Sequence, residues 1–178
     1  MTGPVFLLFL ASAVELSVGP MLEDGYRPGA RAGLAWTLTE TTRSGTAGRS
    51  ATHALVAGPD FATYVIPGVR WASLPGGTVA YHRTTPTGFR LGMDIGAAAA
   101  FHRYTVPTYS IDEEGNLETI PMAGRIRFAP STRLTIGTAP TSDRSWGVLF
   151  RPSVFLEFPR NGMLAPVLTA EVAGTWTL

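Results

Sequence analysis

The 178-residue chain contains no cysteine and no lysine. Without cysteine, disulfides and thiolate metal sites are excluded. All fourteen basic residues are arginine, set against thirteen acids for a net charge of +1. That balance offers nucleic acid no clustered basic face, so no nucleic-acid partner is expected. Charge is scarce altogether: 15% of residues are charged, where soluble domains average roughly 25%. Something other than a charged, water-facing surface must cover much of the molecule. Long apolar runs are missing too. No segment approaches the ~20 continuous apolar residues of a membrane helix, so any crossing of a membrane has to be made by strands. The length fits a single domain with no room for a second sizeable core.

What the chain does have is alternation of period two, the mark of strands with two unlike faces. Ala30, Ala32, Leu34, Trp36 and Leu38 alternate with Arg31, Gly33, Ala35, Thr37 and Thr39. From Phe89 to Phe101, Phe89, Leu91, Met93, Ile95, Ala97, Ala99 and Phe101 alternate with Arg90, Gly92, Asp94, Gly96, Ala98 and Ala100. The pattern recurs from Val14 to Val18, from Ile120 to Phe128, at Leu134 and Ile136, from Trp146 to Phe158, and from Leu164 to Leu178. Glu15, Arg31, Glu40, Arg90, Asp94, Arg125, Arg127, Arg133, Arg151, Glu157 and Glu171 are all assigned to the polar face of these strands.

A soluble sandwich or barrel would turn the apolar face inward and cover the other with charge. Here the second face is instead rich in Gly, Ala, Ser and Thr, with single arginines and acids placed among them. Small residues and balanced charges suit the crowded interior of a narrow barrel. An uncharged face bearing Trp36, Phe89, Phe101, Trp146, Phe158 and Trp176 suits lipid with aromatic belts at its two interfaces. The expected fold is therefore all-β, a closed up-and-down antiparallel transmembrane barrel over residues 14–178. Its lumen is expected to hold an ion-pair network of Arg31, Arg90, Asp94, Arg125, Arg127, Arg151, Glu157 and Glu171.

Turn signals fall at Leu22 to Gly25, Thr41 to Ser50, Pro75 to Gly77, Pro86 to Gly88, Tyr109 to Leu117, Ala129-Pro130, Pro140 to Asp143 and Pro159 to Gly162. They leave eight strands, or ten if Ser50 to Ser73 divides at Gly58-Pro59. At the start, Val5 to Leu10 is apolar and Ala11-Ser12-Ala13 has the small-x-small form of a leader-cleavage site. Residues 1–13 therefore read either as a short or truncated signal segment or as the beginning of a first strand or plug.

Taken together, these features make the chain resemble the small eight-stranded outer-membrane barrels of Gram-negative bacteria, the OmpA-like and OmpW-like proteins. The last residues, Val172-Ala173-Gly174-Thr175-Trp176-Thr177-Leu178, are similar to the terminal-strand signal read by the barrel-assembly machinery. Gly174, Trp176 and Leu178 would carry it, with Leu178 where the family more often ends in phenylalanine. The resemblance implies an outer-membrane location, the lipid bilayer and the assembly machinery as partners, and loops offered to another envelope protein.

Catalytic and metal constellations are thin. His53, His82 and His102 have no metal-ligand spacing, and His102 reads as a residue of the membrane boundary. Asp112-Glu113-Glu114 reads as a solvated loop tip, with cation binding the minor alternative. No cofactor, metal or catalytic group is expected, although a lipid hydrolase sited on the rim remains an enzymatic alternative. The expected function is an integral structural or interaction barrel, with the loops at Tyr109 to Leu117 and Pro140 to Arg144 facing outside. The alternatives are a porin-like or ligand-holding barrel for a small apolar molecule, and a soluble barrel subunit of a larger assembly. Protein extracted from membranes should migrate differently on a detergent gel before and after boiling. A chain that is soluble without detergent, and whose band heating does not move, would make the apolar face an ordinary core.

Overall fold

The computed structural model describes residues 13–44, 50–120, 123–160 and 163–178. Of the expected leader only Ala13 falls within them. The strands are β1 (Val14–Glu23), β2 (Arg27–Ser44), β3 (Ser50–Ile66), β4 (Arg70–Thr84), β5 (Phe89–Tyr104), β6 (Tyr109–Ile111), β7 (Leu117–Thr119), β8 (Gly124–Thr138), β9 (Trp146–Arg160) and β10 (Met163–Thr177). Eight of them close into one antiparallel barrel in the order β1-β10-β9-β8-β5-β4-β3-β2, and β6 and β7 form a separate hairpin. Closure removes the sheet edges that so many apolar strands would otherwise expose.

The period-two pattern decides what each face meets. Val79, Tyr81, Leu91, Met93, Ile95, Ile126 and Leu134 stand exposed on the outside, while Glu23, Glu157 and Glu171 are buried within. This polarity is inverted relative to a water-soluble barrel, because lipid tolerates no unpaired charge and a narrow lumen can pair them. A closed antiparallel barrel of even strand number with an apolar exterior and a charged interior is an integral outer-membrane barrel.

Gly58-Pro59 does not divide the third strand. The β3–β4 register runs unbroken through Gly58↔Thr78 and Pro59↔Gly77, so the count is eight and not ten. Two expected turns are also overturned: Pro75-Gly76-Gly77 lies inside β4, and Ala129-Pro130 lies inside β8. The neighbouring strands hold these residues in line, although Pro75 has no N–H to donate. The β4–β5 ladder accordingly skips from Ser73↔Phe101 to Gly76↔Ala98. Where turns do form, the backbone demands them. Asp24 and Gly25 both take positive φ, 49° and 80°, closing the β1–β2 hairpin with residues suited to that region.

A bulge in β2 changes the phase of the chain. Its register with β3 slips between Thr37↔Val56 and Thr39↔Leu55. Strict alternation from Trp36 and Leu38 would put Glu40 outside, but the slip brings it inside, where it lines the mouth of the lumen.

Antiparallel order also fixes which loops share an end. The first and last described residues lie with the strand ends Ser44 and Ser50 and with the connections 85–88 and 139–145. The opposite, distal end carries 24–26, 67–69, 105–120 and the strand ends Arg160 and Met163. Tyr109 to Leu117 and Pro140 to Arg144 therefore face opposite sides of the membrane. The expectation that both look outward is wrong, because a single barrel strand, β8, lies between the two connections and carries the chain from one end of the barrel to the other.

The distal loop is structured. β6 and β7 pair as Ile111↔Leu117, and the Asp112 carboxylate accepts hydrogen bonds from the Asn116 backbone N–H at 2.6 Å and its side-chain amide at 3.0 Å. Those donors hold the Asp112 carboxyl below the ordinary carboxylate range. A lowered folded pKa adds hairpin stability above the usual carboxylate range, and that stability is lost as pH falls through the folded value. Amide exchange at Asn116 should therefore accelerate on acidification beyond its intrinsic pH dependence, and Asp112→Ala should show the faster exchange at neutral pH. Equal protection in the variant would remove this role from Asp112.

Candidate functional site: the charged lumen

Inward side chains divide the lumen into layers. Nearest the chain termini, Arg90 Nη1 donates to both oxygens of Glu15 across the barrel, at 2.8 and 2.6 Å. Above them lies a central cluster. Arg31 grips Asp60 through Nε and Nη2, at 2.9 and 2.6 Å to Oδ2. Arg133 Nε donates to Asp94, its cross-strand neighbour, and its Nη1 reaches Asp60 Oδ1 at 3.3 Å. Asp94 also lies 3.4 Å from His82 Nε2 and accepts from Thr135 Oγ1 at 3.3 Å. Glu171 stands among three guanidiniums, 3.6 Å from Arg151 and 3.9 Å from both Arg31 and Arg133. Three arginines thus face three carboxylates, the balance that makes burial of charge tolerable.

Next comes an apolar layer of Met21, Leu74, Phe155 and Val167, with Ala62, Ala72, Ala100 and Ala129 packed around them. It meets the central cluster where the Arg31 guanidinium sits 5.2 Å from the Phe155 ring centroid. On its other side it includes Tyr64, whose hydroxyl donates to Glu157 Oε1 at 3.0 Å. Glu157 is the centre of the distal cluster: Arg127 Nη1 donates to Oε2 at 2.5 Å, and His102 Nε2 lies 3.2 Å from Oε1. Near the distal rim, Arg27 bridges Glu23 and Asp24, each at 3.0 Å.

Small residues make room for this packing. A Cβ on Gly92 would stand 2.4 Å from Cδ2 of His82, and one on Gly33 would crowd the Asp60 carboxylate at 3.3 Å. These two glycines are therefore spaces for neighbouring side chains.

Of the residues expected inside, Arg31, Arg90, Asp94, Arg127, Arg151, Glu157 and Glu171 are brought into these clusters. Arg125 is not. It keeps the inward phase, but one residue from the distal start of β8 it is exposed and makes no ion pair among the described residues. His102 is also corrected: it is buried in the lumen and not placed at the membrane boundary. The site further contains Asp60, His82, Tyr64, Glu15 and Arg133. Asp60 was hidden by the false break at Gly58-Pro59; continuing the phase from Tyr64 and Ala62 would have placed it inside. The exterior aromatics fall at both ends. Trp36, Phe89 and the cross-strand pair Trp146↔Trp176 lie towards the termini, with Phe101 and Phe158 towards the distal rim. The Trp176 ring lies over Gly174, where a Cβ would come within 2.5 Å of it, and the Leu178 N–H donates to Val14 O at 2.9 Å.

At the terminal end the lumen opens into a cavity of about 370 Å³, lined by Glu15, Glu40, His82, Arg90 and several threonines. Among the described residues no group of three or more His, Asp or Glu is placed to hold a metal ion. The histidines contact Tyr81, Asp94 and Glu157 respectively; no serine hydroxyl is hydrogen-bonded to any of them among the described residues.

Neither a protein-family model nor a curated protein matches the chain. Among solved structures it is similar to Ail, the attachment invasion locus protein of Yersinia pestis, at 11% identity with a TM-score of 0.48. The likeness covers 95% of this chain and all of that one. A second structure of Ail, in complex with the heparin analogue sucrose octasulfate, aligns at 10% identity and a TM-score of 0.47, with the same coverage. The β domain of the Bordetella autotransporter BrkA aligns at 14% identity and a TM-score of 0.40, covering 91% of this chain and 67% of that one.

Replacing one member of a buried pair leaves its partner's charge uncompensated, at a cost of about 3–5 kcal/mol. Arg127→Leu, which leaves Glu157 with Tyr64 and His102 but no guanidinium, should markedly lower the temperature at which the folded gel band converts to the unfolded one. Arg125→Leu, on the exposed rim, should shift stability by no more than about 0.5 kcal/mol. Equal effects of the two substitutions would contradict the inward placement of Arg127.

Proposed function

We propose that this outer-membrane barrel is a closed structural and interaction protein, a scaffold for its loops and not a conduit. The observation that carries the reading is the apolar layer around Phe155, which lies between two charged clusters of the lumen. Filled lumens are expected at eight strands, where the interior is just wide enough for side chains. The ion-pair network then serves to fill and brace the lumen. The distal β6–β7 hairpin is the element best suited to meet another envelope protein. It projects Ile111 and Leu117, each 71% exposed, beside Asp112, Glu113, Glu114 and Glu118. Gly174, Trp176 and Leu178 supply the terminal-strand signal for the assembly machinery, and the aromatics at both rims seat the barrel at the two interfaces.

A second reading rests on the terminal-end cavity, whose volume of about 370 Å³ is that of a small ligand site. In that reading the barrel holds a small molecule at its mouth without passing it.

Conductance separates a scaffold from a channel. Purified barrel in a planar lipid bilayer should produce no discrete current steps at neutral pH, with the hairpin intact or with Ile111→Ser/Leu117→Ser. Reproducible steps that disappear on boiling would make the lumen a pore and end the scaffold reading.

A further inference from the structure

The exterior carries a feature that neither the lumen nor the hairpin uses. Two adjoining cavities of about 390 Å³ each lie along the outward face of β4, β5 and β8 and share Ile126 as a wall. Their floor is made of outward residues with little side chain: Ser73 and Pro75 on β4, Ala97 and Ala99 on β5. Larger side chains bound it, with Ile126 and Phe128 on one flank and Trp71 and Phe101 towards the distal rim. The result is a furrow in a face otherwise built from bulky residues.

At the rim the furrow turns basic. Arg103 continues the outward phase of Phe101 and pairs across the ladder with Trp71. Arg125 stands at the same rim, on the inward phase across from His102. Both are exposed, no acidic residue lines either cavity, and among the described residues neither arginine makes an ion pair. From the Trp71 level to the Gly77 level is six residues, about 20 Å of strand at about 3.3 Å per residue. With strands tilted by about 40°, that is about 15 Å of depth, half of a ~30 Å hydrocarbon core. The furrow therefore begins at an interface and spans one leaflet.

We propose that this furrow binds one acyl chain of a phosphate-bearing membrane lipid, with the phosphate held by Arg103 at the distal rim. The bilayer supplies the occupant. The small-residue floor admits a chain where other outward positions would displace it, and the exposed Arg103 guanidinium selects an anionic head over a neutral one. The inference takes the membrane embedding as given and is independent of whether the lumen conducts.

Trp71 reports on the site directly. In a barrel carrying Trp36→Phe, Trp146→Phe and Trp176→Phe, Trp71 is the remaining tryptophan. The protein is reconstituted into phosphatidylcholine vesicles containing a minor fraction of phosphatidylglycerol with brominated chains, and quenching of Trp71 is followed as that fraction rises. The same series with brominated phosphatidylcholine is the reference, and the heat-dependent gel shift confirms a folded barrel in each case. Phosphatidylglycerol should quench at the lower mole fraction. Arg103→Gln should weaken its apparent affinity about fivefold, which is about 1 kcal/mol per arginine at ~1.4 kcal/mol per tenfold. Ala99→Leu, which fills the floor and leaves Arg103, should reduce quenching by the anionic lipid as well. Equal quenching by the two lipids overturns the proposal, as does selectivity that survives Arg103→Gln. Selectivity lost with Arg103 but unaffected by Ala99→Leu would also overturn it, leaving only attraction of anionic lipids to a basic rim.

Discussion

The hydrocarbon core of a membrane offers no hydrogen bond to a stray polar group, and the rest of this structure follows from that. Backbone amides must pair within the protein, so the sheet closes on itself. Charges must leave the exterior, so they collect in the lumen and have to be balanced there. The grip of Arg31 on Asp60, the pairing of Arg133 with Asp94 and the convergence of Arg127, His102 and Tyr64 on Glu157 are local answers to that one constraint. The same rule explains the low charge content: eight walls facing lipid have no use for it.

Much of this was legible in the chain because the period of a strand is two and its faces see different solvents. The assignment of Asp94, Arg127, Arg151, Glu157 and Glu171 to the interior needed only parity. Parity fails at register changes and strand ends. The slip at Leu38 reverses the face of Glu40 without any mark in composition, and Arg125 has the correct phase at a height where the lumen is already open to water. His102 was misplaced for a related reason: its neighbours Arg103 and Tyr104 belong to the rim, but alternate residues of one strand can differ completely in burial.

Proline and glycine misled in another way. In a soluble protein Pro75-Gly76-Gly77 and Ala129-Pro130 would end strands. Here both neighbours of each strand hold it in line, and the missing N–H at Pro75 shows only as a gap in one ladder. The small residues also have positive uses. Gly92 and Gly33 admit His82 and Asp60 on the inside, while Ala97 and Ala99 lower the floor of the exterior furrow. Neither use leaves a local motif, because each depends on which side chain stands opposite on another strand.

The apolar layer around Phe155 has a consequence for how the protein can change. It is an apolar septum, and it makes the barrel two cups set back to back. Among the described residues, the partners of Glu157 (Tyr64, Arg127 and His102) are shared with neither Asp60 nor Asp94 on the far side. Each cup can be rewired on its own, its arginines traded and its acids moved, as long as the septum stays dry.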